Sequence, residues 1–154
     1  MDYLTLKWIH VLSSTILFGT GIGSAYYFLR AHLSRDPRIA EAVSRYVIAA
    51  DWIFTTTTVV LQPLTGLMLA RMAGTPLSLP WLHRSLVLYG VAVACWIPVV
   101  FIQIRMHALV REAAAKGGRA PAWQSRWLAA WIVLGTAAFF TFVAVFHLMV
   151  RKTA

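Results

Sequence analysis

The sequence contains one cysteine, Cys95, and only five acidic residues among 154. A single cysteine excludes a disulfide within the chain and any C-x-x-C redox or zinc motif. Because only Asp51 of the carboxylates falls near an apolar segment, a catalytic pair of acids is not expected in the interior. The sequence also has no G-x-x-x-x-G-K-[ST] phosphate-binding loop and no dinucleotide-binding glycine motif. These absences argue against nucleotide-dependent and thiol-dependent enzyme classes.

Charge is scarce and apolar residues are abundant. The chain is 12% charged and 60% hydrophobic, whereas a soluble domain averages roughly 25% and 45–50%. Four apolar segments are each long enough to cross a hydrocarbon core of ~30 Å, and they are residues 4–29, 46–70, 81–109 and 125–149. The sequence therefore predicts an all-α fold in one membrane domain, residues 1–154, built as an antiparallel up-down bundle of four transmembrane helices.

The formal net charge of +9 does not indicate a nucleic-acid-binding protein. The basic residues flank the apolar segments, where they set topology and contact anionic lipid. Nine of the 14 Lys and Arg residues belong to the side that holds segments 30–45 and 111–126, and five belong to the other side. The positive-inside rule then places these two segments in the cytoplasm as loops and both termini outside.

His10 is the first candidate functional residue. An ionisable side chain inside a transmembrane helix is costly and is by default a functional-site candidate. Ser14 and Gly21 share its helical stripe, in a helix rich in small residues. Small residues allow close packing of helices, and they also leave space for a flat cofactor. Gly19 and Gly23 form a G-x-x-x-G step that can pack helices within the bundle or between two copies of a homo-oligomer.

The topology places His83 and His147 in the same outer half as His10. Two neutral imidazoles facing each other across a bundle can hold a haem iron. The sequence therefore predicts haem b with His10 and either His147 or His83 as axial ligands. The predicted walls and propionate partners of this site are Ser14, Gly21, Phe18, Phe140, Val143 and Arg84. Two alternatives stay open: copper or zinc held by the three histidines, and a cofactor-free accessory or transport-associated protein.

A polar stripe runs along the second apolar segment. Its members step by four, three, four and three residues and are Asp51, Thr55, Thr58, Gln62 and Thr65. This spacing puts them on one helical face, which is expected to face the bundle interior rather than lipid. The stripe is either a polar wall for a ligand or proton path, or a packing feature in which Gln62 bonds to a neighbouring helix. Pro63 is expected to kink this helix and free a carbonyl. A seven-residue repeat in the third segment predicts a core stripe of Tyr89, Trp96 and Gln103.

The run "LFGTGIGSAYYFLRAH" after His10 and the run "LPWLHRSLVLYG…CWIPVVFIQIRM" resemble a bacterial family of predicted four-helix integral membrane proteins of unknown function. More distantly, the chain is similar to the CopD-like membrane proteins and the HemJ-type protoporphyrinogen oxidases. Those oxidases carry haem b and use a histidine early in helix 1, a position that His10 matches. The resemblance implies a multi-pass protein of the bacterial inner membrane. We expect redox or electron transfer with a quinone or a redox protein as partner.

One position departs from the oxidases. Trp81, Leu82 and His83 match a Trp-Leu-His at the start of helix 3 in that family. A functional lysine follows this histidine by two residues in the oxidases, but here the position is Ser85, with Arg84 displaced by one. Arginine stays protonated and cannot ligate iron as lysine can. The sequence therefore assigns no reaction to the chain and leaves a haem-binding role of His10 open.

Overall fold

The computed structural model describes residues 1–118 and 124–152, which form helices joined by short connections. In chain order the elements are α1 (Tyr3–Leu33), α2 (Pro37–Ala50), a π-helical turn (Asp51–Thr55), α3 (Thr56–Met72), α4 (Pro80–Ala115) and α5 (Gln124–Arg151). Because α2, the π-helical turn and α3 are continuous, the described residues form four long helical rods. The predicted all-α fold with four helices is thereby confirmed.

Three of the four rods are long and apolar enough to cross a membrane, and they are Pro37–Met72, Pro80–Ala115 and Ser125–Arg151. α1 has 31 residues but is not among them, because its serines, threonines, glycines and His10 lower its hydropathy. Large apolar side chains on every rod point outward, and Trp8, Ile53, Phe101 and Val133 are each more than 60% exposed. Such outer faces are typical of helices that contact lipid tails.

The helices extend beyond their predicted ends, and the predicted loop at 30–45 is wrong over most of its length. α1 continues to Leu33 and α2 already begins at Pro37. Asp36 caps α2, since its side chain accepts hydrogen bonds from the backbone N–H groups of Arg38 and Ile39. Pro37 sits in the first turn, where its missing N–H costs nothing. Part of the other predicted loop, 111–126, lies outside the described residues.

The rods are arranged so that α1 packs along α2 and α3, while α4 packs against α2 and along α5. The gap between α1 and α5 is bridged by aromatic side chains. Phe18 lies 5.3 Å from both Phe139 and Phe146, measured between ring centroids. Nearer the other end of α1, the ring centroid of Phe28 lies 4.9 Å from that of Trp131 on α5. The buried core is concentrated around this second contact and contains Phe28, Val47, Val99, Ile102, Met106 and Trp131.

Pro63 explains a contact between α3 and α4. Proline has no N–H, so the carbonyl of Val59, four residues earlier, loses its helical donor. The hydroxyl of Tyr89 on α4 donates to this carbonyl at 2.5 Å. The sequence predicts that Pro63 leaves one carbonyl without a helical donor. In the structure this carbonyl, that of Val59, accepts from Tyr89 and links α3 to α4.

The π-helical turn reshapes the middle of the second rod. The backbone N–H of Thr56 bonds to the carbonyl of Asp51, five residues back. Asp51 and Thr55 are both buried, and the Thr55 hydroxyl donates to Asp51 Oδ1 at 2.9 Å. Thr58 and Thr65 are buried further along, which confirms that the polar stripe faces the bundle interior. Single π-helical turns of this kind are frequent at functional sites.

Candidate functional site

The first candidate site is a polar cluster between α1 and α3, made of His10, Ser13, Gln62 and Thr65. The Thr65 hydroxyl donates to the carbonyl of Leu61 at 2.6 Å, as helical threonines often do. The same oxygen lies 2.7 Å from His10 Nδ1. Because its only proton is already donated, the Thr65 oxygen accepts this bond and His10 Nδ1 carries the hydrogen.

The bond to Thr65 determines what His10 can do chemically. A neutral imidazole with its hydrogen on Nδ1 keeps the lone pair of Nε2. His10 is half-buried, and no hydrogen bond reaches its Nε2 from residues 1–118 and 124–152. Histidines that ligate metals typically donate their other ring N–H to an oxygen in this way, which fixes the ring orientation. The donor chemistry of His10 therefore fits one axial ligand of a haem iron.

The polar cluster also joins two helices. Gln62 Nε2 on α3 donates to the His10 carbonyl at 2.9 Å and to the Ser13 hydroxyl. Ser13 in turn donates to the His10 carbonyl at 3.1 Å. Gln62 thus makes the cross-helix bond that the packing interpretation of the stripe anticipated, in addition to holding the backbone beside His10.

Gly66 makes room for the His10 ring, since a Cβ at this position would lie 3.3 Å from His10 Cε1. We expect Gly66→Ala to push the ring off Thr65 and weaken a bond of the kind worth ~0.6 kcal/mol between membrane helices. The matched control is Gly90→Ala, where nothing lies within 4 Å of the added Cβ and helix propensity improves by up to ~1 kcal/mol. Both variants gain the same helix propensity, so unfolding of the purified variants in detergent should give Gly66→Ala a free energy of unfolding about 0.6 kcal/mol below that of Gly90→Ala. Equal stability would contradict the close fit.

In the described residues, the His10 ring makes no hydrogen bond to any other predicted site residue. Five of these residues are exposed on the surface of a single chain: His83, Arg84, Phe140, Val143 and His147. Phe140 is 63% exposed. The Ser14 hydroxyl bonds to its own helix at Val11, and Gly21 lines a separate cavity. Ring contacts of α5 with α1 come from Trp131, Phe139 and Phe146, and none is recorded for Phe140 among the described residues. The pairing of His10 with His147 or His83 stays a prediction.

No group of three or more His, Cys, Asp or Glu is placed to hold a metal ion in the part of the chain that the structure describes. The copper or zinc alternative, which needs three outer histidines together, therefore has no preformed ligand set there. A haem makes a smaller demand on the protein, because the porphyrin supplies four of the iron ligands and the chain supplies one or two.

The second candidate site is a cavity of about 350 Å³ between α1 and α5, which reaches the π-helical turn and α4. Its walls are mostly apolar, and their aromatic members are Phe18, Tyr26, Trp96, Trp131, Phe139 and Phe142. Polar side chains come from Asp51 and Thr55 on the π-helical turn and from Gln103 on α4. The sequence indicated Asp51 and the Trp96–Gln103 repeat separately, and it gave no sign that they meet.

Two residues that line this cavity each carry a buried polar atom with no partner among the described residues. Gln103 is 2% exposed and its Oε1 accepts no hydrogen bond, and Trp131 is 5% exposed and its Nε1–H finds no acceptor. Buried polar groups are nearly always hydrogen-bonded, so each exception calls for an explanation.

Comparison with known proteins gives one match. A family described as "Predicted integral membrane protein (DUF2269)" matches residues 4–153. A search of curated proteins and a search of solved structures both returned no match. The match confirms the resemblance to predicted integral membrane proteins of unknown function, and the similarity to CopD-like and HemJ-type proteins stays a prediction.

Proposed function

This chain belongs to the DUF2269 family of predicted integral membrane proteins, and we propose that it is a membrane haem protein in which His10 ligates the iron of a b-type haem. The observation that carries the proposal is the bond from His10 Nδ1 to Thr65, which leaves the Nε2 lone pair for a ligand. When bound, haem supplies one-electron chemistry. Its proposed use here is redox or electron transfer with a quinone or a redox protein.

The residues around His10 have distinct roles in this proposal. Thr65 accepts from Nδ1–H, which orients the imidazole and makes Nε2 a stronger ligand. Gly66 opens the space that the ring occupies. Gln62 fixes the backbone of α1 at His10. Together they hold the imidazole rigidly against α3.

His147 and His83 are the proposed alternatives for the second axial ligand. The ammonium of Lys152 lies 5.9 Å from the centre of the Trp81 ring, so the start of α4 and the end of α5 are neighbours. Both histidines are exposed at this end of the bundle, where Arg84 is also available to pair with a haem propionate. Because they are exposed, they are equally available to a second copy of the chain.

The proposal includes a topology. We take α1 as the fourth span, since 31 residues at 1.5 Å each extend about 46 Å, more than the ~30 Å of a hydrocarbon core. Lys and Arg are in excess at the side that holds segments 30–45 and 111–126, away from the termini. This excess supports an orientation with both termini outside. The proposed location is the inner membrane of a bacterium, with the outer faces of the helices against lipid.

The test is a reduced-minus-oxidised optical spectrum of the purified protein, produced in cells supplied with a haem precursor. We expect a Soret band with sharp α and β bands, lost in His10→Ala and weakened in Thr65→Val. Thr57→Val is the matched control, since Thr57 is exposed and bonds only to its own helix. His147→Ala and His83→Ala then identify the second ligand. A colourless wild-type protein, or haem retained in His10→Ala, would overturn the proposal, and retention in both of the other variants would refute the pairing.

A second candidate is a cofactor-free accessory or transport-associated protein. The observation that favours it is that Gln62 Nε2 and the Thr65 hydroxyl already donate hydrogen bonds within the bundle, which is sufficient for a packing role. In that case the purified protein is folded and colourless, and His10→Ala changes stability alone.

A further inference from the structure

We propose that the cavity between α1 and α5 binds a lipid-soluble phenol, that is, a flat apolar ring carrying a hydroxyl group, with hydroquinones included in this class. The site is separate from the polar cluster and shares no residue with it. The inference rests on the unpartnered polar atoms of the cavity, on its aromatic walls and on its position within the bundle.

The polar chemistry of the cavity defines the head of the ligand. Among the described residues, Gln103 Oε1 is an acceptor that lacks a donor, and Trp131 Nε1–H is a donor that lacks an acceptor. Both residues line the same cavity. A hydroxyl group has one hydrogen to donate and lone pairs to accept with, so a phenol that reaches Gln103 Oε1 can donate to it, and one that reaches Trp131 Nε1–H can accept from it. A ketone or an ether satisfies only Trp131.

The position of Asp51 argues against a ligand with an acidic head group. Asp51 is 5% exposed, it lines the cavity, and its Oδ1 already accepts from Thr55. An acidic head such as a fatty acid or a phosphate would place a second acid beside this carboxyl in a low-dielectric site, where the two groups cannot both ionise without a large penalty. A neutral hydroxyl carries no such penalty.

The walls define the body of the ligand. Trp96, Trp131, Phe139 and Phe142 surround the cavity, and aromatic rings favour offset or edge-to-face contact with another ring. A cavity of about 350 Å³ is within the range of small-molecule sites. Gly135 leaves part of this space open, since nothing lies within 4 Å of a Cβ added there. A ligand that partitions into lipid can reach the site between α1 and α5 without leaving the bilayer.

The test measures binding of radiolabelled 4-hexylphenol to the full chain in lipid nanodiscs, with empty nanodiscs as the background. The comparison ligand is 4-hexylanisole, which keeps the ring and tail but cannot donate a hydrogen bond. We expect saturable binding of the phenol and roughly tenfold weaker binding of the ether, a difference of one unpaired buried acceptor. Gln103→Leu should remove this preference, because it deletes the acceptor and keeps an apolar side chain in its place.

A steric variant gives a second, independent arm. Gly135→Leu should fill the cavity and abolish saturable binding, whereas Gly19→Leu is the matched control on an exposed glycine with nothing within 4 Å. Helicity and thermal unfolding check that each variant is folded. Binding no greater than to empty nanodiscs, equal binding of phenol and ether, or saturable binding retained in folded Gly135→Leu would each overturn the proposal. None of these readouts uses haem absorbance, so the result is distinguishable from that for His10.

Discussion

Phe28→Ala is expected to lower the free energy of unfolding by about 3 kcal/mol, the low end of the range for removing a buried Phe. Phe28 is fully buried, and its ring centroid lies 4.1 Å from that of His32 and 4.9 Å from that of Trp131. Its removal leaves a void where α1 meets α5. The loss is at the low end because lipid is as apolar as the core, so the lost term is packing rather than transfer from water.

The measurement is unfolding of the purified variants in mixed micelles with increasing SDS, followed by circular dichroism. Phe101→Ala is the matched control, since Phe101 is 68% exposed on the outer face of α4. We expect the control to change stability by less than about 0.5 kcal/mol. Equal losses from the two variants would mean that the contact of α1 with α5 around Phe28 does not hold the rods together.

The sequence predicts which face of the second rod is turned to the bundle interior, because the polar residues of this rod lie on one face. Asp51, Thr58 and Thr65 lie on one helical face, and a membrane helix cannot present such a face to lipid. The structure buries all three. Pro63 likewise predicts a free carbonyl from covalent chemistry alone, and Tyr89 is the donor that finds it. In both cases the chemistry of the residues themselves determines the structural feature, independently of the neighbouring helices.

The orientation of α5 could not be predicted in the same way. Its apolar run contains only Thr136, Thr141 and His147 as polar residues, so no continuous polar stripe fixes the rotation of the helix about its axis. The sequence-based hypothesis turned Phe140, Val143 and His147 inward, whereas Phe139 and Phe146 contact α1 in the structure. One residue is about 100° of helix rotation, enough to exchange an inner face for an outer one.

The cavity depends on this rotation, and so it was missed. Trp131 and Gly135 line it only because α5 presents that face to α1. The π-helical turn at Asp51 has no sequence signal of its own, yet it sets the second polar wall. The capped start of α2 was also missed: Asp36 and Pro37 are a recognisable helix start, but their basic surroundings favoured a loop.

Ser85→Lys is expected to destabilise the protein by about 2–3 kcal/mol, or to prevent its accumulation in the membrane. Ser85 is 1% exposed, and its hydroxyl donates to the carbonyl of Trp81 at 2.7 Å. A lysine here must bury an ammonium group or force α4 away from its neighbours. Ser85→Ala should be nearly neutral because the lost bond lies within one helix, and Arg84→Lys should be neutral because that side chain is exposed.

This variant restores the lysine that the oxidase resemblance associates with the position two residues after His83, so it tests how far the resemblance extends. If Ser85→Lys unfolds as predicted in SDS mixed micelles, the packing around α4 excludes the oxidase arrangement, and a haem at His10 would serve another reaction. If Ser85→Lys is as stable as Ser85→Ala, the surroundings of Ser85 admit an ammonium group. That outcome would contradict the burial argument and would make an oxidase-like site accessible by one substitution.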